Sequence, residues 1–427
     1  MSVRRFALAL CAIVLAGVGV RLFYVQAIVH DGEYGLDSTW YFLQSGNIED
    51  NAGYVDPASL IQDGVSVPTA AHPPAYPALL AVERVVTGAD DMDTLRVIGA
   101  LTGAVTIALT GLLGAAVGGR TVGLIAAAIV AVDPRLVAVD GSLMTEALFV
   151  PIVVASLWCA LRVARGGYWG WWLGLGALLG AGILTRPDAF LLAAFVLVPL
   201  VFRAAASRRD RITGFAVAGV AIAVIVAPWV ARNAVQVGDP TIATTSGATA
   251  LAGANCESTY YGDLMGAWDY DCIRPYRRGV DDEAEWSATI RADATSYARA
   301  HVTRLPAVGA VRVARSLGLY APRQEAELEA IESRSYSWQL FAFATSLVLL
   351  VAGGYGIWRR AGGGLTRWLL AAPLVAGFAI MAASHANTRL LAFGIPSLAV
   401  GAACAVRHAS APTTSAVPND PPPAAAG

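Results

Sequence analysis

The sequence predicts an all-α polytopic membrane protein, a bundle of about ten transmembrane helices with two large extracytoplasmic loops. Three observations predict it. First, 56% of the 427 residues are hydrophobic and only 14% are charged, with a mean hydropathy of +0.57, whereas soluble domains carry about 25% charged residues. Second, apolar runs fall near 6–29, 94–116, 121–139, 145–163, 170–185, 188–203, 213–231, 338–357, 367–384 and 389–406. A hydrocarbon core of about 30 Å is crossed by roughly 20 such residues in a helix. Third, arginines crowd alternate connections between these runs, which sets orientation.

With the N-terminus inside, thirteen arginines fall in short inside segments and three, Arg135, Arg186 and Arg389, in short outside turns. Both termini are therefore expected in the cytoplasm of a cell-membrane protein. Arg4 and Arg5 precede the first run, which lacks a small-residue cleavage site and reads as a span rather than a signal peptide.

Composition excludes several functions. Disorder over most of the chain does not fit the hydrophobicity. The net charge of −1 gives no indication of a nucleic-acid partner. All 30 basic residues are arginine, so Schiff-base chemistry on lysine is excluded. No P-loop pattern appears, and the cysteines show no metal-type spacing. Cys11, Cys159 and Cys404 lie in apolar runs.

The first outer loop covers 30–93. It opens with the acidic stretch His30-Asp31-Gly32-Glu33, and from Asp37 to Gln44 the pattern suits a helix, with Asp37 as N-cap and Trp40 and Tyr41 at the interface. A carboxylate at this partly dehydrated surface suits a general base. Spacing alone favours the plainer role of helix cap and aromatic belt. His72 sits among Pro68, Pro73, Pro74 and Pro77, as a proton carrier, a donor to phosphate or a structural histidine. The stretch 77–86 is too short to span and is expected to lie at the interface as a helix.

Three short outer turns follow. Asp140 and Glu146 flank the first and are expected to converge with Asp37, since acidic groups at membrane depth need a partner or a role. Arg186, in Leu184-Thr185-Arg186-Pro187, and Arg389, after Ser384-His385-Ala386-Asn387-Thr388, occupy the second and third. A guanidinium fork matches phosphate. Arg21, inside the first span, needs an anion or carbonyls nearby, or snorkels outward.

The large outer loop covers 232–337. Arg232 begins it. A segment rich in small and aromatic residues, holding Asn255, Tyr260, Tyr261, Trp268 and Tyr270, suits sugar binding or simply a turn-rich loop. Cys256 and Cys272 are expected to pair in an oxidising compartment. Helices are expected over 281–301 and 304–320. Arg312 and Arg315 share a face of the second, available to a lipid phosphate or as a basic rim. The Pro/Ala-rich tail 409–427 is expected to be a disordered cytoplasmic end.

Six pieces in order resemble the GT-C superfamily of integral-membrane glycosyltransferases, similar to bacterial protein O-mannosyltransferases and aminoarabinose transferases. They are Asp37-Ser38-Thr39-Trp40-Tyr41, the Pro68–Pro77 segment, the Asp133-Pro134 to Glu146 turn, Leu184-Thr185-Arg186-Pro187, Pro228-Trp229-Val230-Ala231-Arg232-Asn233, and Arg389. The resemblance covers about residues 5–406 and implies one membrane glycosyltransferase domain, 1–408. It implies that Asp37 is the catalytic acidic residue, with Ser38 where members often carry a second. It implies a polyprenyl-phosphate-sugar donor, a glycan, lipid or protein acceptor, inverting transfer, and neither metal nor cofactor. The candidate binding residues are Arg21, Tyr41, His72, Asp140, Glu146, Arg186, Arg232, Asn255, Arg312, Arg315 and Arg389. A transporter or flippase of a lipid-linked glycan is the alternative from another class. A catalytically silent assembly subunit would be indicated by an Asp37 remote from any cavity.

Overall fold

The computed structural model describes residues 1–30, 34–276, 283–332 and 334–409. The expected tail 409–427, the acidic residues 31–33 and the start of the helix expected at 281 lie outside the described residues, apart from Ala409 at the end of the last helix. Among the described residues backbone strand pairing is limited to one isolated bridge, Val55 to Pro68.

Each of the ten apolar runs folds as helix, though they do not all span alike. Seven helices are long and apolar enough to cross a bilayer: 3–28, 92–118, 146–164, 208–236, 336–360, 364–383 and 388–407. Two more, Trp169–Ile183 and Ala189–Arg203, are shorter. The run expected as one span over 121–139 is broken. Helices α6 (Arg120–Val132) and α7 (Pro134–Asp140) meet at 59°. The cause is local: Pro134 has no N–H and pushes Asp133 out of the helical region, to φ −63°, ψ 119°. The Asp133 carboxylate then caps α7, accepting from the N–H groups of Arg135 and Leu136.

The other helices, in chain order, are α1 (Val3–Phe23), continued by a π turn, α2 (Leu36–Glu49), α3 (Pro57–Asp63), α4 (Ala75–Thr87), α5 (Met92–Gly118), α8 (Glu146–Ala164), α9 (Trp169–Ile183), α10 (Ala189–Arg203), α11 (Arg208–Gln236), α12 (Gly247–Ala254), α13 (Glu257–Tyr260), α14 (Glu283–Ala300), α15 (Leu305–Ser316), α16 (Pro322–Ala330), α17 (Tyr336–Arg360), α18 (Gly364–Ala383) and α19 (Ile395–Ala409). A hydroxyl or carboxylate caps several N-termini: Ser2 for α1, Asp91 for α5, Ser207 for α11 and Ser335 for α17.

In lipid, helices gain little from apolar burial and associate through close packing at small residues. Helices α17 and α19 show this. A Cβ on Gly356 would meet the carbonyl oxygen of Gly401 at 1.8 Å, and one on Gly401 would meet that of Gly353 at 2.2 Å. The backbones touch there, and only glycine fits.

The polar loops sit together at one end of the bundle. Helices α2 and α4 pack around Tyr41, Tyr76 and Leu80 against Leu95 and Met144. In the large loop Ala248, Ala252, Ile273, Ile290 and Ala294 form a small separate core, and Cys256 is disulfide-bonded to Cys272. Glu283 joins the two loops. Its carboxylate accepts from the Thr69 hydroxyl at 2.7 Å, the Ala70 N–H at 3.0 Å and the Thr245 hydroxyl at 2.5 Å.

Candidate active site

A cavity of about 830 Å³ opens where the loops meet the bundle. Asp37, His72, His385, Asn387, Arg389 and Glu332 line its bundle end. Four segments far apart in sequence meet here: the start of α2, the turn before α8, the turn before α10, and the 3-10 segment Thr388–Gly394.

Asp37 lies in the first turn of α2, after the N-cap Gly35, so it is not the cap. Its position frees the carboxylate. The side chain is 32% exposed, and Oδ2 is 3.3 Å from Arg389 Nη1. Arg389 is positioned by Asn387, whose Oδ1 accepts from the Arg389 backbone N–H at 2.9 Å and from Nε at 3.2 Å. Arg389 Nε is also 3.6 Å from Glu146 Oε1. The Glu146 side chain is fully buried and binds Arg186 Nη1 at 2.5 Å, while Arg186 in turn binds Asp188 at 2.7 Å. Buried carboxylates and guanidiniums thus alternate, and each charge has an opposite neighbour, as low dielectric demands.

Tyr41 is buried, with its hydroxyl 3.2 Å from His72 Nδ1. Trp40 packs against the same imidazole, centroids 4.4 Å apart and planes tilted by 48°. The expected surface belt is therefore an internal aromatic cluster, formed because α4 packs across α2. Burial lowers the His72 pKa, and it lowers that of His385 to about 3, with Arg389 and Arg312 adding to the effect. Both imidazoles are neutral near pH 7.

The remaining candidates lie apart from this cluster. Asp140 does not converge with Asp37. It pairs with Arg21 at 2.7 Å, and Arg21 also donates to the carbonyls of Gly17 and Ala131 at 3.1 and 3.0 Å. Arg21 therefore does not snorkel. Arg232 donates to the carbonyls of Thr69 and Tyr54 at 2.6 and 2.5 Å, tying the large loop's root to the first loop. Asn255 accepts from the Tyr260 hydroxyl at 2.7 Å. Arg312 and Arg315 form no basic rim, because α15 turns that face inward onto carbonyl oxygens. Arg312 donates to Ala254 at 2.6 Å and Ala382 at 3.1 Å. Arg315 donates to Met265 at 2.6 Å and Asp263 at 2.8 Å.

Glu332 is the group that sequence reasoning missed. Its Oε2 is buried without a hydrogen-bond partner. Burial pushes its pKa up to about 7, the nearby Asp37 and Glu146 charges adding to this while Arg389 opposes. The available signal was the rule applied to Asp140 and Glu146, an acidic residue at the mouth of a span, since Glu332 precedes α17 by four residues. Behind it Glu329 binds Arg334 and accepts from the Thr388 N–H at 3.2 Å. Among the described residues no three His, Cys, Asp or Glu side chains gather as a metal site.

Residues 71–231 match a family model described as dolichyl-phosphate-mannose-protein mannosyltransferase. No curated protein sequence matches the chain. Among solved structures, the fold is similar to the archaeal oligosaccharyltransferase AglB from Archaeoglobus fulgidus in complex with an inhibitory peptide and a dolichol-phosphate. That match has 15% identity and a TM-score of 0.53, and it covers 94% of this chain and 50% of that one. The apo form of the same enzyme gives 14% and 0.54 over the same shares. ArnT from Cupriavidus metallidurans bound to undecaprenyl phosphate gives 14% and 0.48, covering 94% of this chain and 78% of that one. The chain spans about half the length of the oligosaccharyltransferase. It is a multi-pass membrane protein with the GT-C fold, matched over 71–231 by the mannosyltransferase family model.

Proposed function

We propose that the chain is a membrane glycosyltransferase that moves a sugar from a polyprenyl-phosphate donor to a hydroxyl acceptor, with inversion, at the outer face of the cytoplasmic membrane. The observation that carries this reading is the pairing of Asp37 with Arg389 at 3.3 Å in a cavity at the loop end of the bundle. Asp37 is the exposed carboxylate of the cluster. Asp140 is held by Arg21, and Glu146 is enclosed by arginines. An Asp37 lining the cavity also speaks against a silent assembly subunit.

In the proposed step Asp37 takes the proton of the acceptor hydroxyl. The hydroxyl oxygen bonds to the anomeric carbon, and the bond from that carbon to the phosphate oxygen breaks on the opposite face. The electron pair leaves with the polyprenyl phosphate, whose charge Arg389 stabilises. Glu146, Arg186 and Asp188 act behind Arg389, holding its guanidinium in place. The charge that develops on the sugar ring is of the kind that carboxylates stabilise in glycoside hydrolysis.

The relatives support a lipid-phosphate donor: the matching family is described by a dolichyl-phosphate sugar, and the similar oligosaccharyltransferase structure holds a dolichol-phosphate. Arginine placement supports the orientation, with both termini cytoplasmic and residues 1–408 as one membrane domain. Three of the five segments expected outside, the first loop, the large loop and the third short turn, line the cavity together. Incubating the purified protein with labelled polyprenyl-phosphate sugars tests the reading. Asp37→Asn is expected to slow transfer by about 10²–10⁴-fold, the span of general-base catalysis, with insertion intact. Undiminished transfer by Asp37→Asn would reject the assignment.

A further inference from the structure

The outer arm of the cavity is unlike its bundle end. Trp268, Tyr270, Tyr276 and Trp286 line it, and the reaction proposed above uses none of them. Their polar edges are tied down. The Trp268 indole N–H donates to the Thr249 carbonyl at 3.2 Å, that of Trp286 to the Tyr276 carbonyl at 3.2 Å, and the Tyr276 hydroxyl to Asp293 at 3.0 Å. The Trp268 ring rests on Gly253, where an added Cβ would meet Nε1 at 2.3 Å. Tyr270 is 52% exposed, with its ring centroid 6.3 Å from that of Trp268. The turn carrying both rings is fixed by the Cys256–Cys272 bond and by Asp269, which accepts from the Ser258 hydroxyl at 2.5 Å and the Asp271 N–H at 3.0 Å. The Trp268, Tyr276 and Trp286 rings are therefore held in place before any ligand arrives, and the turn that carries Tyr270 is fixed with them.

The polar groups that line this arm with them are Ser246, Thr249, Asp269, Arg274 and, toward the bundle end, Asn387. Arg274 is already paired with Asp271 at 2.9 Å. A rigid aromatic surface with hydroxyl and amide groups beside it fits a pyranose. The electron-rich ring face meets the sugar's C–H face, and the sugar hydroxyls reach the polar rim. An extended peptide would seek a free strand edge, and strand pairing among the described residues is confined to Val55–Pro68.

We propose that this arm is the acceptor subsite and that it binds a neutral glycan, so that the attacking group is a sugar hydroxyl. The proposal rests on the reading that Asp37 and Arg389 form the transfer site. The donor occupies the Arg389 end, and the acceptor reaches Asp37 from the aromatic end. Prior immobilisation of the rings lowers the ordering cost of binding.

Calorimetric titration of the full chain in nanodiscs with mannotriose, maltotriose, cellotriose and a Ser/Thr-containing peptide tests this without requiring turnover. At least one trisaccharide is expected to bind at millimolar strength. Tyr270→Ala and Trp268→Ala are expected to weaken it about three- to tenfold each, the scale of a single aromatic contact, while Trp268→Phe, which keeps a ring, stays near wild type. Tyr270 is exposed, so its variant separates binding from folding. In the transfer assay the same variants should raise the acceptor KM and leave the slow release of donor sugar to water unchanged. Binding of no trisaccharide, equal binding by wild type and Tyr270→Ala, or loss of donor hydrolysis in place of acceptor affinity would overturn the subsite. A donor left uncleaved by wild type would instead count against the transfer reading, with the titration still deciding whether a glycan binds.

Discussion

Two clusters of arginine lie near the loop end of the bundle, and they use the same side chain differently. Under the large loop, Arg312 and Arg315 reach mainly backbone carbonyls from three separate segments. At the bundle end of the cavity, Arg389 and Arg186 reach mainly carboxylates: Asp37, Glu146 and Asp188. A guanidinium filled by carbonyls pins segments together and has few N–H groups left to offer. One that faces carboxylates beside a cavity can accept an incoming anion, because the carboxylates also bring negative charge to be displaced or a proton acceptor. The partner, rather than the arginine, separates pin from site.

The contrast yields predictions in decreasing order of effect. Arg389→Gln should lower turnover about 10²–10³-fold, as loss of one transition-state donor does, with the thermal unfolding midpoint near wild type. A large fall in the midpoint instead would make Arg389 another pin. Arg312→Ala should behave oppositely. It leaves the carbonyls of Ala254, Ala382 and Ala383 without this donor, costing about 3–9 kcal/mol at roughly 1–3 per buried group. Thermal unfolding should show that loss while activity per folded molecule persists. Replacing both Cys256 and Cys272 by serine should cost about 3 kcal/mol in the chain-entropy account. Limited proteolysis of the loop whose carbonyls Arg315 holds should reveal it.

The smallest effect concerns pH. Glu332, pushed up to about 7, is protonated below that pH and charged above it. Its charge then competes with a donor phosphate for Arg389, so donor KM should be lowest below pH 7 and rise above it. Glu332→Gln should remove that rise, a change of roughly three- to tenfold for one nearby charge in a partly solvated site. A donor KM that rises equally in the variant would assign the dependence elsewhere.

Much of this was legible in the sequence because its signals are local. Apolar length marks helices, and the shared polar segment of Cys256 and Cys272 marks their bond. The convergence of Asp37, Glu146, Arg186 and Arg389 was also legible, since each sits at the mouth of a span on one side. What the sequence hid was pairing across distance. Nothing local tells that Asp140 turns to Arg21, 119 residues away, or that α15 buries its arginines. The break between α6 and α7 was written at Pro134 but masked by continuous hydrophobicity. Glu332 was overlooked because it belongs to a polar stretch where one more acid draws no notice.

The clasp made by Glu283 has a consequence for biogenesis. The residues it grips, Thr69 and Ala70, leave the ribosome 214 and 213 positions ahead of it. At about 5–20 residues per second of elongation, the amino-terminal segment waits some ten to forty seconds for its latch. Throughout that interval the carboxylate that will accept from its hydroxyl and amide is not yet made.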